Sequence, residues 1–194
     1  MSESAKMSQH SDNATSAQLE QPTQYQLRPA TLSDIEPLTA LINRAYRPVQ
    51  GQEGWTHETL WVSGERVQAQ ALVATLNNPY RHLLVLASGA LMIGSALITG
   101  KEDGTAYIGL LTIDPPYQAN GLGTQLLQDA EQYAKQHLHA YRIIMSVVDA
   151  RTELIAFYER RGYGQTGHSL PYPTDQAVGQ PKQPLSLIEM EKDI

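Results

Sequence analysis

The apolar positions along the chain change their spacing several times, and helical spacing covers four segments. Between residues 33 and 45 the apolar side chains recur every three or four positions, behind a Ser-x-x-Glu pair with capping-box spacing. The same periodicity predicts helices over residues 65–76 and 121–137. A further helix over 152–161 is expected to end at Gly162, because glycine is the residue that most often terminates a helix.

Short apolar and β-branched runs between turn residues predict the strands. Three of them, 82–87, 91–99 and 106–113, follow one another so closely that an antiparallel meander is expected. Residues 141–148 are apolar almost throughout, which predicts a central strand. Segment 49–65, with Gly51, Gly54 and Trp55, is expected to be irregular. The remaining predicted strands cover residues 25–29, 163–168 and 185–190.

A glycine-containing loop, Gln118-Ala-Asn-Gly-Leu-Gly123, separates the strand 106–113 from the helix 121–137. Such a loop points free backbone N–H groups and the positive end of a helix dipole at one small volume. Glycine allows the backbone to approach a phosphate closely or to adopt positive φ. The loop therefore predicts an anion site that suits a pyrophosphate.

Spacing separates the phosphate-binding loops that compete for this segment. A P-loop needs a lysine after its second glycine, and no lysine lies between Lys101 and Lys135. A dinucleotide fingerprint needs a third glycine where Leu126 stands, and an acidic residue earlier than Asp149. The remaining possibility for a phosphate-binding loop is the pattern Gln-x-x-Gly-x-Gly after an apolar strand. The alternative is that this segment is only a glycine-rich turn between a strand and a helix. The pattern Gln-x-x-Gly-x-Gly resembles the acetyl-CoA-binding segment of the GNAT N-acetyltransferase superfamily.

A second segment, residues 151–163 with Phe157-Tyr158 before Gly162-Tyr163, is similar to the closing motif of the same superfamily. The resemblance runs from Tyr25 to the C-terminus, and the predicted order β-α-α-β-β-β-α-β-α-β-β agrees with it. It implies an α/β (α+β) GNAT fold, with a central mixed, mostly antiparallel sheet, a V-shaped splay and helices on both faces. We expect a single domain over 25–194. The polar segment 1–24, which has few large apolar side chains, is expected to be a disordered tail.

The resemblance also assigns candidate site residues. Tyr158 would lie beside the CoA sulfur and protonate the departing thiolate, unless it is simply a core aromatic. Arg151 stands where many members carry an asparagine that holds the pantetheine arm, and an arginine there would instead meet a phosphate. Backbone groups of the splayed strand would grip the pantetheine, and one N–H would stabilise the thioester oxyanion. The predicted cofactor-binding residues are Leu111, Thr112, Ile113, Gln118, Ala119, Asn120, Gly121, Leu122, Gly123, Thr124 and Arg151.

The acceptor side is less well defined. Because the chain has no cysteine, a cysteine acyl-enzyme is excluded and direct attack by an amine in a ternary complex is expected. Trp55 and Arg66 are predicted to line the acceptor pocket, Arg66 as a carboxylate clamp, with loop packing and a surface charge as the alternatives. A base or a water chain must remove the amine proton. Four candidates for the base stay open: Glu53, His57, Glu58 and Glu65.

Composition narrows the function classes further. A net charge of −6 over 194 residues argues against nucleic-acid binding and mildly favours a basic or amine substrate. No apolar run is long enough to span a membrane, so no membrane partner is expected, and the absence of cysteine fits a cytoplasmic location. Acetyl-CoA is the expected cosubstrate and no metal site is expected. A monomer and a homodimer both stay open.

Two functions remain at this point. The first is an acetyl-CoA-dependent N-acetyltransferase that acts on a small amine or a protein amine. The second is a non-catalytic acyl-CoA-binding or sensing module of the same fold. Retention of Tyr158 together with the loop favours the enzyme.

Overall fold

The computed structural model describes residues 24–174 and 178–194. The predicted tail 1–24 lies outside the described residues except for Gln24. All seven strands expected from the sequence are present, some extended by a few residues. They are β1 Gln26–Pro29, β3 Arg81–Ser88, β4 Leu91–Gly100, β5 Thr105–Ile113, β6 Arg142–Val148, β7 Gly164–Pro171 and β9 Ser186–Asp193.

The helices follow the predicted segments, with one clear shift. They are α1 Ile35–Tyr46, α2 Ala69–Leu76, α3 Leu122–Leu138 and α4 Thr152–Glu159, with 3-10 turns at Leu32–Asp34 and Pro115–Tyr117. The prediction that α2 begins at residue 65 was wrong. The backbone N–H groups of Arg66 and Val67 donate to the Asn43 side chain, which holds this stretch outside the helix.

The N-terminal cap of the first helical segment also differs from the prediction. The capping pair is Thr31 and Asp34, not Ser33 and Glu36. The Asp34 carboxylate accepts from the Thr31 N–H at 2.7 Å and from the Thr31 hydroxyl at 2.8 Å. It also accepts both Nη groups of Arg28, at 2.7 and 2.8 Å, so the turn is tied to β1.

The seven strands form one sheet in the order β1-β3-β4-β5-β6-β9-β7. Every neighbouring pair is antiparallel except β5 and β6, which run parallel, so the expected mixed, mostly antiparallel sheet is confirmed. The predicted irregular segment 49–65 contains a short strand, β2 Val62–Ser63, which was missed. It pairs with β8 Gln180–Pro181, a two-residue strand too short to carry a sequence pattern.

The parallel pair β5 and β6 separates after three residue pairs. Their register runs from Thr105 opposite Arg142 to Tyr107 opposite Ile144, and the rest of β5 pairs with β4 alone. A bulge in β5 bends it away, since two residues, Leu110 and Leu111, oppose one residue of β4. The predicted V-shaped splay is therefore present. Its open edge belongs to the C-terminal half of β5.

Apolar clusters cover both faces of the sheet, as predicted. Helix α3 packs on one face through an apolar stripe that includes Leu126 and Ala130. Helices α1 and α2 pack on the other face, where Leu38 and Leu72 are buried. Because the helices cover the sheet but not the gap between β5 and β6, a cleft remains at the splay.

Candidate active site

The splay opens into a cleft of about 950 Å³. It runs from the loop before α3, past β5, to the segment between α1 and α2. Asn120 and Leu122 do not line it, and the Leu122 side chain is buried in the core. A contact between Leu122 and a cofactor would therefore have to use its main chain. The predicted site residues that line the cleft are Trp55, Arg66, Leu111, Thr112, Ile113, Gln118, Ala119, Gly121, Gly123, Thr124, Arg151 and Tyr158.

The loop before α3 has the backbone shape of an anion cradle. Ala119 has φ 68° and Gly121 has φ 78°, and α3 begins at the next residue, Leu122. A Cβ added to Gly121 or Gly123 would meet no heavy atom within 4 Å, so the space above both glycines is open. The N–H groups of the first helical turn face this open volume together with the positive end of the α3 dipole. The residues present therefore fit a pyrophosphate.

A bidentate ion pair holds the start of this loop, and the sequence analysis did not identify it. Arg44 of α1 donates to both carboxylate oxygens of Asp114, at 2.8 and 2.7 Å. The Asp114 N–H donates to the carbonyl of Ile93 on β4, also at 2.8 Å. Because one residue is thus bonded to α1 and to β4, the turn from β5 into the loop has a defined position.

The side chain of Gln118 faces inward and bonds to a neighbouring segment. Its Nε2 donates to the Ile113 carbonyl at 2.7 Å and to the Thr56 hydroxyl at 3.2 Å. Its Oε1 accepts the Trp55 N–H at 2.5 Å. Gln118 was expected to bind cofactor, but in the structure its amide holds the segment Gly54–His57, which we call the strap. A contact from Gln118 to cofactor would therefore come from its backbone.

Arg151 holds the same strap from the opposite side of the cleft. It is 1% exposed, and its Nη2 donates to the Trp55 carbonyl at 2.9 Å. Its Nη1 lies 3.2 Å from the Thr56 carbonyl and 3.3 Å from that of His57, and its Nε donates to Glu153. Four of the five guanidinium N–H groups are thus used within the protein, which leaves one Nη2 N–H for any further partner. The strap thus bridges the two arms of the V, from Gln118 after β5 to Arg151 after β6.

Tyr158 lies on α4 and reaches the inside of the cleft. Burial raises the pKa of its phenol above the usual range, and the neighbouring Tyr46 raises it further. The hydroxyl therefore keeps its proton at neutral pH, which is the state that a proton donor needs. The adjacent Phe157 contacts the Trp55 ring, with centroids 5.2 Å apart.

The four candidate bases have different positions. Glu58 lines the cleft, and its carboxylate accepts Arg47 Nη1 at 3.0 Å. Glu53 and Glu65 are exposed outside the cleft. The His57 ring bonds to the Gly54 carbonyl at 2.6 Å and does not line the cleft. Glu58 is thus the one candidate base that reaches the cleft within the described part of the chain.

Arg161 is a cleft residue that the sequence analysis missed. Its guanidinium lies 3.4 Å from the Phe157 ring centroid, and its Nη2 donates to the Thr124 hydroxyl at 2.5 Å. Thr124 is in the first turn of α3, so Arg161 places a positive charge beside the anion cradle. Phe157 and Arg161 stand four positions apart in the helix predicted over 152–161, a spacing that puts them on one face. In the structure Arg161 lies just beyond the end of α4.

Within the described ranges the structure holds neither a cluster of metal ligands nor a membrane-spanning helix. No group of three or more His, Asp or Glu side chains there is arranged to hold a metal ion. No helix in those ranges combines the length and the apolarity that crossing a membrane requires.

Known proteins similar to this chain share its fold. A model of the acetyltransferase (GNAT) family matches residues 35–163. The structure of ribosomal-protein-alanine N-acetyltransferase from Brucella melitensis is 21% identical with a TM-score of 0.63, over 87% of this chain and 99% of that one. The structure of yncA from Salmonella typhimurium, determined with its cofactor acetyl-CoA, is 18% identical with a TM-score of 0.63, over 88% and 94%.

One further solved structure and one curated protein are also similar to this chain. A chimera of spermidine N-acetyltransferase SpeG from Vibrio cholerae and hSSAT is 18% identical, with a TM-score of 0.64 over 88% of this chain and 96% of that one. The uncharacterized protein YdhI of Bacillus subtilis (strain 168) is 39% identical over 54 residues, which is 28% of this chain and 33% of that protein. The match to this curated relative thus spans about a third of its length.

Proposed function

This chain belongs to the GNAT acetyltransferase family, and we propose that it is an N-acetyltransferase that moves an acetyl group from acetyl-CoA to a primary amine by direct attack in a ternary complex. One observation carries the proposal. A single cleft is lined by Tyr158, by the unpaired edge of β5 and by the open cradle before α3. An acyl carrier that enters at the cradle and follows β5 would bring its thioester toward Tyr158.

The cradle and β5 would bind the cofactor. The N–H groups of Gly121, Leu122 and Gly123 and the α3 dipole would hold the pyrophosphate, with the Arg161 charge beside them. The unpaired edge of β5 at Leu111–Ile113 would hold the pantetheine arm through its backbone. A backbone N–H there would also stabilise negative charge that develops on the acyl oxygen, worth about 3 kcal/mol per donor.

Three groups would handle the reacting atoms and protons. Bound acetyl-CoA supplies an activated thioester, whose carbon–sulfur bond breaks as the amine forms a carbon–nitrogen bond. The Tyr158 hydroxyl donates a hydrogen bond to the departing sulfur. Because burial raises the pKa of this phenol, the hydroxyl stabilises the developing thiolate before proton transfer to the sulfur is complete. The amine must lose a proton, and Glu58 is the candidate base in the cleft, directly or through water.

A thiol-release assay with acetyl-CoA and a panel of primary amines tests the proposal. We expect turnover with at least one amine, and a loss of about 100-fold in kcat for Tyr158→Phe with little change in CoA affinity. Tyr163→Phe is the matched control. It is also a buried tyrosine, but its hydroxyl donates to Glu131 at 2.8 Å and it does not line the cleft.

The outcomes separate the enzyme from a binding module. Tight CoA binding without turnover on any amine would favour the non-catalytic acyl-CoA-binding module. Unchanged kcat in Tyr158→Phe would remove this residue from the mechanism and leave the acyl transfer itself standing.

A further inference from the structure

The cleft carries a charge opposite to that of the whole chain. The net charge of the chain is −6, yet the charged residues that line the cleft are four arginines and one glutamate. The glutamate, Glu58, is paired with Arg47 at 3.0 Å, so it does not neutralise the arginines of the lining. Since salt screens exposed charges beyond about 10 Å, a ligand in the cleft experiences these nearby arginines more than the distant surface carboxylates.

Two of the four arginines are explained by the contacts already described. Arg151 holds the strap, and Arg161 lies beside the first turn of α3. The other two are Arg66 and Arg81. Arg66 lies beside α1, in the part of the cleft lined by α1 and α2, which we call the acceptor half, and Arg81 is the first residue of β3. Within residues 24–174 and 178–194, neither guanidinium has a hydrogen-bonded or ion-paired carboxylate. Glu58 is the one carboxylate among the described residues that line the cleft and Arg47 already pairs it, so the acceptor half presents the Arg66 cation without a free anion.

Arg66 has a defined position in this half. Its backbone N–H donates to Asn43 Oδ1 at 2.7 Å, and its guanidinium stacks over the Tyr46 ring at 5.1 Å from the centroid. A guanidinium that stacks on a ring keeps its N–H edge available for a planar anion. Tyr46 in turn lies close enough to Tyr158 to influence its ionisation. One aromatic side chain thus separates Arg66 from the candidate proton donor.

We propose that the acceptor is an amine that also carries a carboxylate, as an amino acid does, and that Arg66 binds this carboxylate. The amine of such a molecule would then face the Tyr158 end of the cleft, while Arg81 adds attraction for the anion. This inference rests on the proposed acetyltransferase function. It refines the expectation drawn from net charge, which mildly favoured a basic or amine substrate, because the amine now also carries a carboxylate.

The test compares acceptors that differ only in the carboxylate. Phenylalanine, phenylalanine amide and 2-phenylethylamine form one matched series, and leucine, leucine amide and isoamylamine form another. We expect the wild-type protein to use at least one amino acid with a kcat/KM about 10- to 100-fold above its amide, the range that charge-assisted hydrogen bonds support. Equal kcat/KM across both series would overturn the proposal and leave the acetyltransferase function intact.

Variants of Arg66 test whether this side chain is responsible for the preference for amino acids over their amides. Arg66→Met should remove the preference by raising KM for the amino acid about 10- to 100-fold, with the amide unchanged, and Arg66→Lys should retain part of it. Arg160→Met is the matched control, since Arg160 is exposed and outside the cleft. A preference that survives Arg66→Met would overturn the assignment. Thermal denaturation confirms that each variant is folded.

A binding experiment tests the carboxylate site independently of catalysis. If no amine is acetylated, calorimetry of the same amino acids and amides against the CoA-saturated protein still tests it. Selective amino-acid binding that Arg66→Met abolishes would support the carboxylate site even while the acetyltransferase function fails. Absence of any difference between acids and amides would overturn it.

Discussion

Replacing Arg151 should release the strap without unfolding the protein. In Arg151→Met the carbonyls of Trp55, Thr56 and His57 lose their donors, although Gln118 still bonds to the strap. Each charge-assisted bond contributes about 1.5 kcal/mol at the low end of the usual range. The freed backbone regains about 1 kcal/mol per residue. These two contributions nearly cancel, so the strap should open while the free energy of unfolding falls by only about 2 kcal/mol or less.

Hydrogen exchange followed by mass spectrometry measures this opening directly. We expect the amides of the strap to exchange about 100-fold faster in Arg151→Met, because the strap then opens without breaking a buried ionic contact. In an acceptor assay, KM for the amine should rise while CoA affinity by calorimetry stays within a factor of two. Arg151→Lys should behave like the methionine variant, since an ammonium cannot serve three carbonyls with the geometry of a guanidinium.

A different result would restore the role that the sequence resemblance implied. If Arg151 binds a phosphate, Arg151→Met should weaken CoA binding at least tenfold and leave strap exchange unchanged, and Arg151→Lys should rescue binding. That combination would refute the assignment of Arg151 to the strap.

Two further predictions concern the cradle and the first helix. Gly121→Val should abolish CoA binding in calorimetry, because the φ of Gly121 is 78° and a valine side chain would fill the open cradle. The control Gly89→Val, also at positive φ but outside the cleft, should lower only the stability of the protein. Unchanged CoA affinity in Gly121→Val would contradict the assignment of the cradle. Hydrogen bonds from Arg28 hold the pKa of the Asp34 carboxyl well below its usual range, so this group stabilises the fold above about pH 4 and the contribution is lost as the pH falls below that. Asp34→Asn should therefore unfold more easily by about 1 to 2 kcal/mol at pH 7, with a smaller difference near pH 2, and denaturant titrations showing the same difference at both pH values would contradict this.

Periodicity was enough to find the main strands and helices, because burial of one face imposes a regular spacing on a single segment. The loop motif and the closing motif around Tyr158 then indicated the family, which the family model confirms. The two short strands β2 and β8 were missed, since two residues carry no period. The start of α2 was wrong because the Asn43 side chain, from another element, takes the N–H groups of Arg66 and Val67.

Side-chain partners far apart in the chain decided the rest of the candidate site. Gln118 and Arg151 carry the residue types of cofactor ligands, yet their side chains bond to the strap, more than 60 positions away from each. Glu58 became distinct from the other candidate bases only when the fold brought it into the cleft.

The sequence by itself determined the family, and it indicated the candidate anion cradle and the candidate proton donor, because these depend on residues close together along the chain. The sign of the charge in the acceptor half depends on which distant side chains share the cleft. The same is true of the partner that each cleft arginine binds. Only the tertiary structure decided those, since the net charge of a chain does not determine the field inside one of its cavities.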